Sequence, residues 1–190
     1  MLLSSSLVPM AKFYTELDHK LIHFIEQQKM FFVATADVDG RINLSPKGMD
    51  SLRILAPNRV AWLNLTGSGN ETAAHLLTVN RMTIMFCAFE GRSKILRLYG
   101  QANTLHRGDN DWESMAKHFP QYSAARQIFD MKIESLQTSC GFGVPLFEYQ
   151  GDRELLNDWA KKKGPDGIKE YWSTRNAVSI DGNKTGTGEP

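Results

Sequence analysis

Short β-prone runs joined by short turns constrain the fold of this chain more than any other feature of its sequence. The clearest runs span residues 30–36, 59–65, 82–88 and 94–104, and they are rich in the β-branched and aromatic residues that strands favour. Loops of hairpin size separate most neighbours, which predicts antiparallel pairing. Six or seven such strands close economically into a small barrel. We therefore predict a mainly β (α+β) fold, an antiparallel barrel with peripheral helices.

Weaker patterns complete the expected order of elements. Residues 30–36 and 41–45 flank Asp37-Val38-Asp39-Gly40 and predict a β-hairpin. A capping-box pattern at Thr15 precedes apolar residues at helical spacing, which predicts the first helix. Further strands are predicted at 53–55, 129–138 and 142–149. Helices are predicted at 15–28, 71–79, 109–119, 153–162 and 167–174, the last two separated by Gly164-Pro165.

The run at 82–88, MTIMFCA, is almost continuously apolar, which predicts a strand that is buried on both faces. A barrel built from 190 residues has limited interior to cover two faces of such a strand. We therefore expect a subunit interface to cover one of them, most simply in a homodimer.

Composition excludes several classes of function. The formal net charge is +1 and no broad basic region is present, so no nucleic-acid partner is expected. No apolar run approaches the length of a transmembrane helix, so no membrane partner is expected either. Two cysteines, Cys87 and Cys140, are too few for a disulfide framework or a zinc site, which predicts a protein without a bound metal in a reducing, cytoplasmic compartment.

The ends of the chain differ in composition from its centre. Residues 1–9 are mildly apolar without a basic segment and are predicted to form a disordered tail. Residues 10–181 form the predicted domain, and the polar, glycine-rich residues 182–190 are predicted to form a flexible tail.

The loop Thr66-Gly67-Ser68-Gly69-Asn70-Glu71-Thr72 is the strongest candidate for a binding site, because it leads from a predicted strand into a predicted helix. Its glycines allow a close approach of the backbone to a ligand. Asn70 is a favourable N-cap, and the first helical turn presents free N–H groups to an anion such as phosphate. Ser45-Pro46-Lys47 at the end of the hairpin adds a positive charge. The alternative is an ordinary strand-to-helix turn with a solvated lysine.

The order of these motifs, from Ser45-Pro46-Lys47-Gly48 through the glycine loop to Leu96-Arg97-Leu98-Tyr99-Gly100, resembles the pyridoxamine 5′-phosphate oxidase family. The resemblance extends over about residues 17–105. Residues 139–182 look like one subgroup of these FMN-binding split barrels, whose members have poorly defined activity. The resemblance thus implies a split barrel and a homodimer with two FMN sites at the subunit interface.

The resemblance also implies roles for individual residues. Lys47 matches the lysine that holds the FMN phosphate in the family's oxidases. Those oxidases have an arginine five residues earlier, where this chain has Ile42, and a Ser-Arg-Lys run where this chain has Asn70-Glu71-Thr72. Backbone N–H groups of residues 69–72, the Asn70 amide and the Thr72 hydroxyl would replace those ligands. Residues for a second phosphate are not recognisable, so pyridoxamine phosphate is not the expected substrate.

Four further residues each have two interpretations. Arg97 either faces the flavin or forms a cross-strand ion pair, and Trp172 either covers the flavin ring or packs as a core aromatic. His75 is either a haem ligand, since some split barrels bind haem, or an ordinary histidine on a helix face. Ser68 lies in Gly-Ser-Gly, but this is not the nucleophile pattern Gly-x-Ser-x-Gly.

The sequence therefore predicts an FMN-binding split barrel, a flavin-dependent oxidoreductase that acts on an unidentified small molecule. A non-catalytic flavin-binding or flavin-sensing protein and a haem-binding split barrel are the alternatives. No acid, base or nucleophile is predicted. The predicted cofactor-binding residues are Ser45, Pro46, Lys47, Ser68, Gly69, Asn70, Thr72, Arg97 and Trp172.

Overall fold

Strands and short helices alternate along the chain, for which a computed structural model describes residues 11–187. The strands are β1 (Ala11–Tyr14), β2 (Phe31–Thr35), β3 (Asn43–Lys47), β4 (Leu52–Ala56), β5 (Arg59–Leu65), β6 (Arg81–Cys87), β7 (Ile95–His106) and β8 (Ala125–Ser139). The helices are α1 (His19–Gln27), α2 (Glu71–Thr78), α3 (Trp112–Ala116) and α4 (Leu155–Tyr171), and a π-helical turn (Trp172–Asn176) follows α4.

The strands of the described range form one sheet in the order β3-β2-β6-β7-β8-β5-β4, with β1 paired to β8. Every neighbouring pair is antiparallel, which confirms the predicted antiparallel split barrel. The register between β7 and β8 shifts at Gly100, and Glu134 is the residue left without a partner. A Cβ at position 100 would lie 2.0 Å from the Lys132 carbonyl oxygen, so only glycine fits there.

The core is a row of side chains that the strand register places on one face. Val33, Ile84, Leu98 and Leu136 are successive cross-strand partners on β2, β6, β7 and β8. All four are at most 1% exposed. Burial of each such side chain contributes about 1.5–3 kcal/mol, so this row and the aromatic residues beside it hold the barrel together.

Strand β6 differs from the expectation of burial on both faces. Met82, Ile84 and Phe86 face the core, whereas Thr83 and Met85 on the other face are only half-buried. The predicted interface over this face remains a prediction.

Several predicted elements have different bounds in the structure. Helix α1 begins after Asp18, whose side chain accepts a hydrogen bond from the Leu21 N–H at 2.8 Å, so Asp18 and not Thr15 is the cap. Residues 142–149 form no strand, and β1 was not predicted. The break between the last two helices is confirmed by Gly164, which has φ of +70° inside α4.

The two predicted tails fall partly outside the described residues. Residues 1–9 and 188–190 lie outside them. Residues 182–187, predicted to be flexible, include the buried side chains of Thr185 and Thr187. Hydrogen bonds to the barrel hold this polar segment in place, a long-range effect that its composition does not reveal. No helix in the range 11–187 is long and apolar enough to cross a membrane.

Candidate functional site

A cavity of about 570 Å³ lies where β3, β5, β8 and the start of α2 meet. Six of the predicted binding residues line it: Ser45, Lys47, Ser68, Gly69, Asn70 and Thr72. The hairpin end and the glycine loop, which are far apart in the sequence, therefore come together as predicted. The volume of the cavity is within the range of ordinary ligand pockets.

Lys47 reaches the cavity because the side chains of β3 alternate. Asn43, Ser45 and Lys47 point inward, while Leu44 and Pro46 are exposed on the other face. The Lys47 Nζ lies 4.8 Å from the centre of the Trp62 ring, a cation–π contact. Burial, and secondly the nearby Arg126 charge, lower the pKa of Lys47 from its ordinary 10.5 to about 8.

Besides Lys47, the cavity is lined by two cations that the sequence analysis missed, the exposed Arg175 and, on β8, Arg126. Its side chain is almost fully buried, and both Nη atoms donate to the Gly69 carbonyl oxygen at 3.1 Å. Its Nε is buried without a hydrogen-bond partner. Burial lowers the pKa of the Arg126 guanidinium to about 10. In the sequence, Arg126 lies between the apolar residues Ala124-Ala125 and Ile128, which could have indicated a strand, but the strand was predicted to begin only at residue 129.

Neither Lys47 nor Arg126 forms an ion pair with a carboxylate of the described residues. Glu71 lines the same cavity, yet its two carboxylate oxygens accept hydrogen bonds from the Ile180 backbone N–H at 3.2 and 3.1 Å. The half-buried Lys47 and the buried Arg126, beside the N-terminus of an eight-residue helix, form an electropositive site. Since buried charges are normally paired, this arrangement fits a bound anion.

Asn70 has a different role from the predicted one. It occupies the N-cap position of α2, but its side chain makes no capping hydrogen bond. The amide is 2% exposed, donates to the Thr187 hydroxyl at 2.7 Å and accepts from the Gln127 Nε2 at 3.0 Å. Asn70 therefore supports the wall of the cavity from behind.

The glycines of the loop are less constrained by backbone conformation than predicted. Neither Gly67 nor Gly69 has a positive φ. A Cβ at position 67 would meet nothing within 4 Å, and one at position 69 would meet the Glu71 Oε1 at 3.0 Å. Backbone strain therefore does not require glycine at either position, and only the Glu71 side chain would lie close to a Cβ at position 69.

Three predicted binding residues do not line the cavity. Pro46 and Arg97 lie on the outer face of the sheet, where Arg97 donates to the Ser139 hydroxyl at 3.2 Å. Trp172 packs in a small apolar cluster around Ala124, and its Nε1 donates to the Thr66 hydroxyl at 2.8 Å. Of the two interpretations of Trp172, the contacts are those of a core aromatic.

His75 and Ser68, weighed for other chemistry, have ordinary surroundings. His75 is 1% exposed, and its Nδ1 lies 3.0 Å from the Thr35 hydroxyl. It does not line the cavity, so haem ligation there would require it to leave the core. Ser68 is exposed at the mouth of the cavity and has no histidine hydrogen-bonded to it among the described residues. Within residues 11–187, no cluster of three or more His, Cys, Asp or Glu side chains could hold a metal ion.

The residues present fit the phosphate end of a flavin nucleotide. Lys47 supplies a charge, the orphaned Arg126 Nε supplies a donor, and the first turn of α2 supplies backbone N–H groups. The hydroxyls of Ser45 and Thr72 line the same space. This set would replace the basic residues that are absent at positions 42 and 70–72.

Comparison with known proteins tests the family resemblance seen in the sequence. The family model for pyridoxamine 5′-phosphate oxidase matches residues 17–140. The pyridoxamine 5′-phosphate oxidase family protein ustO of Aspergillus flavus is 38% identical over 147 residues, which are 75% of this chain and 59% of the relative. The chain thus spans about three fifths of that curated relative.

Solved structures show the fold. HupZ of Group A Streptococcus has a TM-score of 0.51 at 19% identity, over 63% of this chain and 91% of HupZ. The structure of a HupZ variant has the same TM-score and identity, over 97% of that chain. At this level of identity, the similarity is one of fold alone. Together with the matched family model, these findings show that the chain belongs to the pyridoxamine 5′-phosphate oxidase family.

Proposed function

We propose that this protein binds FMN, with the FMN phosphate held between Lys47, Arg126 and the first turn of α2. The observation that carries the proposal is a pair of cations, the half-buried Lys47 and the buried Arg126, that share one cavity and lack a carboxylate partner among the described residues. A dianionic phosphate monoester would neutralise both of them. Each charge-assisted hydrogen bond to it contributes about 1.5–3 kcal/mol.

The subunit interface of the proposed homodimer would lie on the outer face of the sheet. Pro46, Phe32, Met85 and Arg97 are successive cross-strand partners on that face. Leu44 beside them is 65% exposed, and Phe13 at the far edge is 70% exposed. Exposed apolar side chains on one sheet face support association of two chains into a homodimer.

We assign the protein to the flavin-dependent oxidoreductases that act on a small molecule. FMN, when bound, supplies hydride-transfer chemistry, while the protein binds and orients the flavin and its reaction partner. No described residue of the cavity is arranged as a nucleophile with its base. The absence of a recognisable second phosphate site in the sequence argues against pyridoxamine phosphate as the substrate. The free thiols Cys87 and Cys140 fit a reducing, cytoplasmic setting.

A fluorescence titration with FMN tests the proposal. The wild-type protein should quench FMN fluorescence and shift its visible spectrum, whereas Arg126→Met should weaken binding about ten- to hundredfold. Arg107→Met is the control, because the Arg107 guanidinium also donates to a backbone carbonyl oxygen, that of Ala125 at 2.9 Å, but lies outside the cavity. A wild-type protein that does not bind FMN would contradict the proposal.

Stopped-flow mixing of the FMN complex with NADH and NADPH then separates an oxidoreductase from a flavin-binding protein without catalytic activity. Bleaching of the flavin absorbance by either nucleotide is the expected result. Stable FMN binding with no reduction by either donor would favour a flavin-binding or flavin-sensing role.

A further inference from the structure

We infer that residues 176–187, here called the clasp, form a wall of the anion cavity and that their seating on the barrel sets the affinity of the cavity for phosphate. The inference deepens the proposed function and rests on it. Val178, Ser179 and Ile180 of the clasp line the cavity together with Lys47 and Arg126. A change in the position of this segment can strengthen or weaken anion binding without altering the reactions of a bound flavin.

The clasp controls the one carboxylate that lines the cavity among the described residues. The Ile180 N–H donates to both carboxylate oxygens of Glu71. Glu71 lies in the first turn of α2, where a free carboxylate would compete with phosphate for the backbone N–H groups. The Ile180 N–H therefore positions Glu71 and partly compensates its charge.

The turn between β2 and β3 holds the clasp in place through Asp181. The Asp181 carboxylate accepts the Arg41 backbone N–H at 2.8 Å and forms an ion pair with the Arg41 guanidinium. Gly40 has φ of +90°, and a Cβ there would lie 2.6 Å from the Asp181 Oδ2. Nearby, the Asn183 Nδ2 donates to the Asp37 carboxylate at 3.0 Å. The turn is thus shaped to receive this carboxylate.

The end of the clasp is joined to the residues that carry the anion donors. Thr187 is 4% exposed and donates to the Gln127 Oε1 at 3.1 Å, while Asn70 bonds to both Thr187 and Gln127. Gln127 follows Arg126 in β8, and Asn70 precedes the first turn of α2. A shift of Thr187 would therefore move both groups of donors, and by reciprocity an anion should stabilise the seated clasp.

Asp181→Ala tests the inference, with Asp130→Ala as the matched control. Asp130 accepts two hydrogen bonds from the Arg59 guanidinium at 2.9 and 2.6 Å, and neither residue lines the cavity. Two readouts are needed: the affinities for inorganic phosphate and for FMN, and the rate of tryptic cleavage after Lys184 in the clasp. Asp181→Ala should weaken binding of both ligands about three- to tenfold, since the competent conformation is less populated.

Inorganic phosphate should slow cleavage after Lys184 in the wild type and in Asp130→Ala, and should do so only at higher concentration in Asp181→Ala. Thr187→Val should show the same pattern as Asp181→Ala, which keeps the test valid if one variant folds poorly. Unchanged phosphate affinity in a variant whose clasp is cleaved faster would overturn the inference, as would a wild type that phosphate does not protect. Phosphate protection without FMN binding would instead refute the FMN assignment and leave the clasp in place.

Discussion

Replacing Lys47 by methionine should have opposite effects on stability and on binding. Lys47 is a half-buried ammonium group over the Trp62 ring with no carboxylate partner among the described residues. Without an anion, its charge destabilises the folded protein. With an anion, the same charge contributes to affinity. Methionine has a similar length and packs well against an aromatic ring.

The pKa of Lys47 gives the magnitude. It falls from an ordinary 10.5 to about 8 in the folded protein, and each pKa unit corresponds to about 1.36 kcal/mol, so the charged side chain disfavours folding at pH 7 by about 3 kcal/mol. Loss of the cation–π contact with Trp62 offsets about 1–2 kcal/mol of this. Lys47→Met should therefore stabilise the anion-free protein by about 1–2 kcal/mol and raise its melting temperature by roughly 2–8 °C.

The pH dependence follows from the same values. Between pH 8 and pH 10.5, the unfolded chain still binds the Lys47 proton that the folded protein has released. The free energy of unfolding of the wild type should therefore rise with pH across this window. The contribution is absent in Lys47→Met, so its advantage over the wild type should disappear at the upper end of the window.

The assay combines thermal melting followed by circular dichroism with FMN titration at about pH 7, below the folded-state pKa of Lys47. We expect a higher melting temperature and an FMN affinity about ten- to hundredfold lower for Lys47→Met. Lys94→Met is the control, because the Lys94 Nζ also lies over an aromatic ring, 4.9 Å from the centre of Phe24, but outside the cavity. A variant that melts lower and binds FMN as tightly as the wild type would refute the reasoning.

Three further predictions concern the support of the site, the sheet and the assembly. Asn70→Ala removes the buried side chain that bonds to both Gln127 and Thr187. It should therefore lower stability by more than the roughly 1 kcal/mol expected for Asp18→Ala at the cap of α1. Equal melting temperatures of the two variants would contradict this role of Asn70. Gly100→Ala should cost roughly 1–3 kcal/mol, since its Cβ would overlap the Lys132 carbonyl, and an unchanged denaturation midpoint in urea would rule out this clash. Light scattering should give a mass near twice 21.4 kDa for the wild type. Leu44→Asp on the outer face should shift the measured mass towards that of the monomer. A wild-type monomer at micromolar concentration with FMN present would count against the dimer.

The fold was largely predictable because local patterns determine it. Alternation and short loops predicted most strands and their antiparallel pairing. The bounds of β3 moved from 41–45 to 43–47, so Lys47 belongs to the strand itself and not to the segment after it. The strand predicted at 142–149 was wrong, because its apolar residues remain exposed: Phe142 is 84% exposed and Leu146 is 74% exposed.

The site was predictable only where its residues lie in recognisable motifs. Lys47 and the loop before α2 were found in this way. Arg126 was missed because its role depends on pairing of β8 with β5, which places it beside Gly69, 57 residues away in the chain. The packing of Thr185 and Thr187 was missed for the same reason, since a polar, glycine-rich composition carries no sign of its distant partners.

The unpaired residue Glu134 changes which residues of β8 face the core on its two sides. On its C-terminal side, the even-numbered Leu136 faces the core; on its N-terminal side, the odd-numbered Ile133, Met131 and Phe129 do. Gln127 belongs to this second series, and it therefore meets Asn70. Deletion of this one exposed residue would join Ile133 directly to Ser135 and leave a regular strand with the same side chains facing the core. Deletion of a paired residue such as Lys132 would instead turn the residues before it outward and disconnect the cavity wall. The extra residue thus joins an even-numbered and an odd-numbered core series within one strand, and β8 should tolerate the loss of Glu134 but not the loss of a paired neighbour.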